Sequence, residues 1–108
     1  MARRDAPNFA VATAVDGGTT VVVVRGELDI ASAAALRETF LRLIDTETLP
    51  DLAIDGSGLT FVDSSGLAVL LMAARRWNDA GKRITLRDPS PTLVRIVDLT
   101  GVRRAFDL

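Results

Sequence analysis

The apolar and polar positions of residues 9–25 follow the two-residue period of β-strands. Residues 9–15 place apolar side chains at alternate positions, which predicts a strand with one buried face. Asp16-Gly17-Gly18 then supplies glycines, which tolerate the positive φ of a tight turn. Residues 19–25 include four consecutive valines, a run typical of a strand that is buried on both faces near the middle of a sheet. The pattern predicts a β-hairpin.

Three later segments place apolar residues at the spacing of helices with one buried face. The stripes consist of Leu36, Phe40, Leu43 and Ile44 in the first segment, Leu67, Leu70, Leu71 and Ala74 in the second, and Leu93, Ile96 and Val97 in the third. Either Asp29 or Ser32 could cap the first helix. The second helix is expected over residues 65–78, and Ser90 followed by Pro91 is a typical start for the third.

The short apolar run at residues 52–54 predicts a further strand, and so does the segment at residues 83–87 around Ile84 and Leu86. Residues 102–106 could add a last short strand or a turn. This order of elements predicts an α/β layer fold in which a hairpin feeds a partly parallel sheet. Residues 1–7 offer little to bury, so we expect a flexible N-terminus ahead of one domain over residues 8–108.

Composition narrows the possible functions. The chain of 108 residues suffices for one compact domain, and its 13 basic and 14 acidic residues are interspersed, so direct binding of nucleic acid is not expected. Cysteine and histidine are absent, which excludes disulfides, thiolate nucleophiles, Ser-His-Asp triads and Cys/His zinc sites. No apolar run approaches the roughly 20 residues that cross a bilayer, and no signal-peptide core is present. We therefore expect a cytoplasmic protein that does not insert into membranes.

The connection that starts at Asp55 and leads into the second helix is the strongest candidate for a functional site. We expect a loop there, and such strand-to-helix loops carry function in α/β sheets. The motif Asp63-Ser64-Ser65-Gly66 lies where the helix should begin, although one capping side chain would suffice. Glycine in a helix costs about 1 kcal/mol relative to alanine. Its presence here suggests that something approaches this backbone closely.

Enzyme motifs do not match the chain. The candidate serines lack the flanking glycines of a nucleophile elbow, Gly81-Lys82 is not followed by the hydroxyl of a phosphate-binding loop, and Gly56-Ser57-Gly58 lacks the third glycine of a dinucleotide fingerprint. A metal-dependent hydrolase remains as an alternative, because four carboxylates could meet at one end of the sheet and hold Mg²⁺: Glu27, Asp29, Asp55 and Asp63. Caps and solvated loop ends explain them equally well, so we expect no enzymatic activity, no metal and no cofactor.

The second helix is apolar almost all round in its first two turns. Val69 and Met72 lie outside its main stripe. Either they are deeply buried, or they belong to an exposed apolar patch beside the two serines, which would mark a protein-protein surface. On the second interpretation, Val69 contacts a partner.

Several stretches of the sequence resemble the STAS domain family, named for sulfate transporters and anti-sigma factor antagonists. They are Gly26-Glu27-Leu28-Asp29, Phe61-Val62-Asp63-Ser64-Ser65-Gly66-Leu67, Ser90-Pro91 and Leu99-Thr100-Gly101. The resemblance covers nearly the whole chain and is greatest to the bacterial antagonists. It implies a mixed four- to five-stranded sheet with the helices mainly on one face.

The resemblance also implies a function. The family's antagonists switch partners: the unphosphorylated form binds an anti-sigma factor, which is also a serine kinase, and so frees a sigma factor for transcription. Carried over to this sequence, the phosphoacceptor is Ser64, Ser65 caps the helix, and a phosphatase acts on the phosphorylated form. With Val69 included, the predicted partner-binding residues are Glu27, Asp29, Asp63, Ser64, Ser65, Gly66 and Val69.

One alternative within the same family stays open. The chain could be a STAS scaffold or a subunit of a transporter complex, which would share the fold and bind partners without using the serine. Phosphate transfer to Ser64 by a cognate kinase separates the two hypotheses, because only the switch requires it.

Overall fold

A mixed sheet of five strands, arranged in sequence order, forms the centre of the described structure. The structure is a computed structural model, and it describes residues 3–6 and 8–106. The strands are β1 (Arg3–Ala6), β2 (Phe9–Asp16), β3 (Thr19–Leu28), β4 (Asp51–Val62) and β5 (Ile84–Arg87). Strands β1 to β3 pair antiparallel, whereas β3, β4 and β5 pair parallel. The predicted hairpin that feeds a partly parallel sheet is therefore confirmed.

Three α-helices and a 3₁₀ helix complete the part of the chain that is described. They are α1 (Ile30–Ile44), α2 (Ser64–Asp79), α3 (Pro91–Thr100) and the 3₁₀ helix Arg103–Phe106, which replaces the predicted last strand or turn. The Ser90 hydroxyl caps α3 by accepting a hydrogen bond from the Leu93 amide at 3.1 Å. Within the described residues, no helix is both long enough and apolar enough to cross a membrane.

One hydrophobic core joins the helices to a single face of the sheet. Val24 and Ile54 belong to this core, together with the buried apolar side chains of α1, α2 and α3. Trp77 and Phe40 are fully buried in it, edge to face, with 6.2 Å between the ring centroids. Alternate residues of a strand point to opposite faces, and the core takes alternate residues of β3 and β4. The helices that pack on these residues therefore lie mainly on one face of the sheet, as the resemblance implies.

Strand β4 is longer than the sequence predicts. The prediction that a loop begins at Asp55 is wrong, because the strand continues to Val62 and stays paired with β3. Two shifts of register accompany this pairing, and one of them lies next to Gly26. Gly26 has a φ of 89°, and a Cβ there would lie 2.0 Å from the carbonyl oxygen of Asn8. Backbone pairing thus continues through a polar, glycine-containing segment that has the composition of a loop.

The N-terminal segment also differs from expectation. Arg3–Ala6 form the edge strand β1, which pairs with β2 so that Ala6 lies opposite Phe9. The hydrogen bonds of an antiparallel pair join backbone groups and need no apolar side chain, so the polar sequence carried no signal for this strand. Residues 1, 2 and 7 lie outside the described residues, and the domain boundary at residue 8 stays a prediction.

An ion pair joins β2 and β5 on the face of the sheet that is opposite the core. Val21 and Ala53 point to this face and lie opposite one another in adjacent strands. The guanidinium of Arg87 in β5 contacts the carboxylate of Asp16 in β2, with 3.1 Å between Nη1 and Oδ2. The ion pair therefore joins two strands that β3 and β4 separate in the sheet. Arg87 lines the same shallow hollow as Ala53, and its side chain is 41% exposed, so part of its stem is buried there.

We expect Arg87→Ala to lower the free energy of unfolding by about 1 kcal/mol, because each buried methylene contributes roughly 0.8 kcal/mol. Arg87→Met should retain most of that stability, since it keeps an apolar stem. Asp16→Ala should cost less, because exposed ion pairs contribute only about 0–1 kcal/mol. Urea denaturation of the three variants checks this. Equal losses in Arg87→Ala and Asp16→Ala, with no recovery in Arg87→Met, would show that the ion pair matters and the stem does not.

Candidate functional site

Two helices start side by side at one edge of the sheet. The strands β3 and β4 are parallel neighbours, and Leu28 lies opposite Val62 at their ends. An aspartate follows each strand directly, Asp29 before α1 and Asp63 before α2. The Asp63 amide donates a hydrogen bond to the Leu28 carbonyl at 3.1 Å, which ties the two connections together. The free backbone amides of two helix starts, with their partial positive charge, therefore lie next to each other.

Asp63 is the N-cap of α2. Its Oδ1 accepts a hydrogen bond from the Gly66 amide at 2.9 Å. The prediction that Ser65 caps this helix is wrong, because α2 already begins at Ser64 and Ser65 lies inside the first turn. Among the described residues, the Ser65 hydroxyl has no hydrogen-bond partner. A carboxylate suits this position better than a hydroxyl, since its charge also interacts favourably with the helix start.

Ser64 is the first residue of α2, and its side chain is exposed. Its hydroxyl, like that of Ser65, has no hydrogen-bond partner in the part of the chain that the structure describes. A phosphoryl group there would face solvent and lie beside free backbone amides, which stabilise negative charge. The position therefore combines access for a kinase with tolerance of the product. That Ser64 is the phosphoacceptor stays a prediction.

Gly66 marks a close approach of α2 to the sheet. A Cβ at this position would lie 2.5 Å from Leu28 Cγ and 2.7 Å from the Leu28 carbonyl oxygen. The close approach suggested by the glycine is therefore real, and the protein's own β3 makes it. Gly66 lets α2 start directly against Leu28, so it fixes where Ser64 lies.

Asp29 performs for α1 the role that Asp63 performs for α2. Its Oδ1 accepts hydrogen bonds from the amides of Ala31 and Ser32 at 2.9 and 3.1 Å. Ser32 completes a capping box, because its Oγ accepts from the Asp29 amide at 2.9 Å. The same buried hydroxyl donates to the Glu27 carbonyl oxygen at 2.7 Å. Of the two candidate caps, Asp29 is thus the N-cap, and Glu27, near the end of β3, presents the exposed carboxylate.

Val69 does not belong to an exposed patch. It is 8% exposed and is part of the hydrophobic core, so the first of the two alternatives, burial, is correct. Its position was ambiguous in the sequence because burial here depends on where α1 packs, and no local pattern reports that. Val69 still lines a groove between α1 and α2, together with the half-buried Met72.

Two exposed apolar residues at this edge were missed by the sequence analysis. Ile30, the first residue of α1, is 79% exposed, and Phe61, near the end of β4, is 46% exposed. Phe61 lies opposite Glu27 in the register of β3 and β4. The available signal was that Ile30 falls outside the apolar stripe of the first helix. Exposed apolar side chains near an accessible serine are suited to a protein contact.

The carboxylates of this edge do not form a metal site. Among the described residues, no group of three or more acidic side chains is placed to hold a metal ion. Asp29 and Asp63 are engaged as caps, and the Asp55 carboxylate accepts from the amide and the hydroxyl of Ser57 at 3.1 and 2.8 Å. The structure therefore offers no support for the metal-dependent hydrolase.

Comparison with known proteins identifies the family of this chain. The sequence model of the family described as "Mlab, STAS domain" matches residues 11–108. The chain belongs to the STAS family. The STAS domain described here is 32% identical over 87 residues to the anti-sigma-B factor antagonist of Bacillus subtilis, which covers 81% of this chain and 78% of that protein.

Solved structures agree with this family membership. An anti-sigma factor antagonist from Mycobacterium paratuberculosis matches this STAS domain with a TM-score of 0.79 and 29% identity, over 97% of this chain and 89% of that one. The Bacillus cell fate determinant SpoIIAA in its phosphorylated form matches with a TM-score of 0.72 and 25% identity, over 89% and 87%. The α/β fold predicted from the sequence is confirmed.

We expect Asp63→Ala to lower the free energy of unfolding by about 1 kcal/mol, because it removes the N-cap of α2. Ser65→Ala, which removes a hydroxyl without a partner, should change it by less than about 0.5 kcal/mol. Urea denaturation followed by circular dichroism gives both values. A loss in Ser65→Ala as large as that in Asp63→Ala would mean that the serine caps the helix in solution.

Gly66→Ala tests the contact between α2 and β3. Helix propensity alone favours alanine by about 1 kcal/mol. The added methyl group, however, would overlap a carbonyl oxygen that is fixed in the sheet, and overpacking costs about 1–3 kcal/mol. We therefore expect net destabilisation, seen as a lower melting temperature. A melting temperature above that of the parent would show that α2 can move away from Leu28 without loss.

Proposed function

We propose that this protein is a bacterial anti-sigma factor antagonist that works as a phosphorylation-switched binding module. In its unphosphorylated form it binds an anti-sigma factor that is also a serine kinase, and a sigma factor is thereby released. Phosphorylation of Ser64 ends the binding. The observation that carries this proposal is the exposed Ser64 at the start of α2, in a STAS domain whose relatives are named anti-sigma factor antagonists.

The fold should tolerate the modification. A phosphoryl group adds nearly two negative charges beside Asp63, and the free amides of the helix start stabilise such charge. Ser64 also contributes no hydrogen bond from its side chain to the described structure, so modification breaks none there. The unphosphorylated and phosphorylated forms should therefore share one fold and differ in their surface.

Binding should respond strongly to the same charges. If the partner places a carboxylate about 6 Å from the phosphate, repulsion at an effective dielectric constant near 20 is roughly 3 kcal/mol per unit charge before screening. Two charges can therefore reduce the affinity by a factor on the order of 10² to 10⁴. Such a factor is enough to switch partners without a change of conformation.

The surface around Ser64 is suited to a protein partner. Ile30 and Phe61 offer exposed apolar area, and Glu27 offers an exposed carboxylate that can set the orientation of the partner. Asp29, Asp63 and Gly66 support this surface from below, since they fix the two helix starts. On this proposal, Ile30, Phe61 and Glu27 contact the partner. The two caps and Gly66 position Ser64.

The chain itself catalyses no reaction in this scheme. The anti-sigma factor adds the phosphate from ATP, and a separate phosphatase removes it from the exposed Ser64. Sigma factors act with RNA polymerase in the cytoplasm, so the proposal places the protein there. The proposed function requires no direct contact with nucleic acid and no insertion into a membrane.

We expect Ser64→Ala to bind the anti-sigma factor as the parent does and to resist phosphorylation. Ser64→Asp should bind more weakly, because it places a carboxylate where the phosphate would lie. Ser65→Ala is the matched control, since it removes the neighbouring hydroxyl and should still accept one phosphate. The measurements are intact mass after incubation with ATP and each purified candidate anti-sigma kinase of the source organism, and a dissociation constant for each variant.

Two results would refute the switch. One is continued single phosphorylation of Ser64→Ala, which would place the acceptor elsewhere. The other is equal affinity of the partner for Ser64→Asp, for the phosphorylated parent and for the unmodified parent. Binding that ignores the serine altogether would instead fit a STAS scaffold or a subunit of a transporter complex.

A further inference from the structure

A groove of about 360 Å³ runs between α1 and α2. Its walls are formed by Ala33, Ala34 and Arg37 of α1 and by Ala68, Val69 and Met72 of α2. Ser65 lies at the end where α2 begins, so the groove opens beside Ser64. The proposed function, as stated for Ser64 and its edge, gives this groove no role.

Short side chains keep the groove open. Ala34 and Ala68 are exposed on facing helices, and neither can fill the space between them. A larger apolar residue at either position would bury area against Val69 and Met72 and would still suit a helix, since leucine is also a strong helix former. The alanine-rich start of α1 therefore has a consequence beyond helix formation, because it leaves room for a side chain from another molecule.

One cation lies in these otherwise apolar walls. Arg37 is exposed and has neither a hydrogen bond nor an ion pair among the described residues. It is seven residues into α1, about 10 Å along the helix from Ile30 at a rise of 1.5 Å per residue. The acidic edge with Glu27, Asp29 and Asp63 lies at the other end of the groove. An occupant with a carboxylate would therefore direct that group away from the edge and towards Arg37.

The apolar surface continues from the groove to the Ser64 edge. Ile30, Ala34, Arg37 and Leu41 recur at spacings of four, three and four, so they share one face of α1. Ile30 and Leu41, at the two ends of this face, are 79% and 39% exposed. A partner that contacts Ile30 beside Ser64 can thus extend along α1 past Ala34 and into the groove, where it meets the charge of Arg37.

We propose that the α1–α2 groove is a second contact site for the anti-sigma factor. It accepts a segment that places an apolar side chain between Ala34 and Ala68 and a carboxylate against Arg37. This inference rests on the proposed function and deepens it, because it divides the interface into two parts. The groove contributes affinity by burying apolar area, whereas the Ser64 edge carries the switch.

The absence of cysteine allows a direct test of occupancy. Ala34→Cys and Ala68→Cys each introduce a single thiol into the groove, and Ala80→Cys is the control at the far end of α2, where the alanine is also exposed. The rate of alkylation by N-ethylmaleimide is measured with and without the anti-sigma factor that phosphorylates this chain. At saturating partner, we expect about tenfold or greater protection of both groove thiols and none of the control.

Charge reversal tests the orientation of the occupant. Arg37→Glu should weaken binding by about tenfold or more, and the loss should shrink at high salt. Arg95→Glu on α3 is the matched control, because it makes the same change of charge at another exposed position without a described partner. In the kinase reaction, Arg37→Glu should raise KM while leaving kcat close to that of the parent, since Ser64 itself is unchanged.

The outcomes separate the two proposals. If the parent binds no anti-sigma factor, the proposed function fails and the groove site fails with it. If the parent binds and is phosphorylated on Ser64, but the groove thiols are unprotected and Arg37→Glu binds normally, only the groove inference is refuted. Protection that grows with the concentration of this chain alone would assign the groove to a second copy and would likewise overturn the proposal.

Discussion

The parallel pairing of β3 with β4 is the constraint on which the edge that carries Ser64 depends. It places Leu28 opposite Val62, so that the two chains leave the sheet together and both turn at once into helices. A slip of one residue would turn the buried side chains of β4 to the wrong face and would move the start of α2. The contact of Gly66 with Leu28 then holds α2 in place, because Gly66 has no side chain that would keep the helix away from Leu28. The pairing of the sheet thus determines where Ser64 lies.

The two signature stretches combine residues of different roles. Gly26, Asp29, Asp63 and Gly66 act within the chain, two as glycines at close backbone contacts and two as helix caps. Ser64 has an exposed side chain that does none of this work. A protein that keeps the first four residues and loses the serine would keep the edge and lose the hydroxyl that the proposed switch requires. Motif resemblance therefore identifies the scaffold of the site more directly than its chemistry.

Periodic segments could be predicted from the sequence, and backbone-driven features could not. The apolar stripe from Leu36 to Ile44 repeats over more than two turns, so α1 was recognisable without its neighbours. Strand β1 and the second half of β4 are held by backbone pairing, which leaves little trace in composition. The choice between Asp63 and Ser65 as the cap of α2 depended on a helix start that differs by one residue from the prediction. Such boundaries are the least determined part of a hydrophobic pattern.

The single tryptophan lies in the core at the far end of α2 from the serine. Trp77 is fully buried, and its indole Nε1 donates to the Pro50 carbonyl at 2.7 Å, so it joins α2 to the chain that enters β4. It is 13 residues after Ser64, about 20 Å along the helix at 1.5 Å per residue. With no tyrosine in the chain, ultraviolet emission comes from this indole almost alone. That emission reports on the integrity of the core and should not respond to phosphorylation or binding at Ser64. The folding of a variant can therefore be followed during a titration with a tryptophan-free partner.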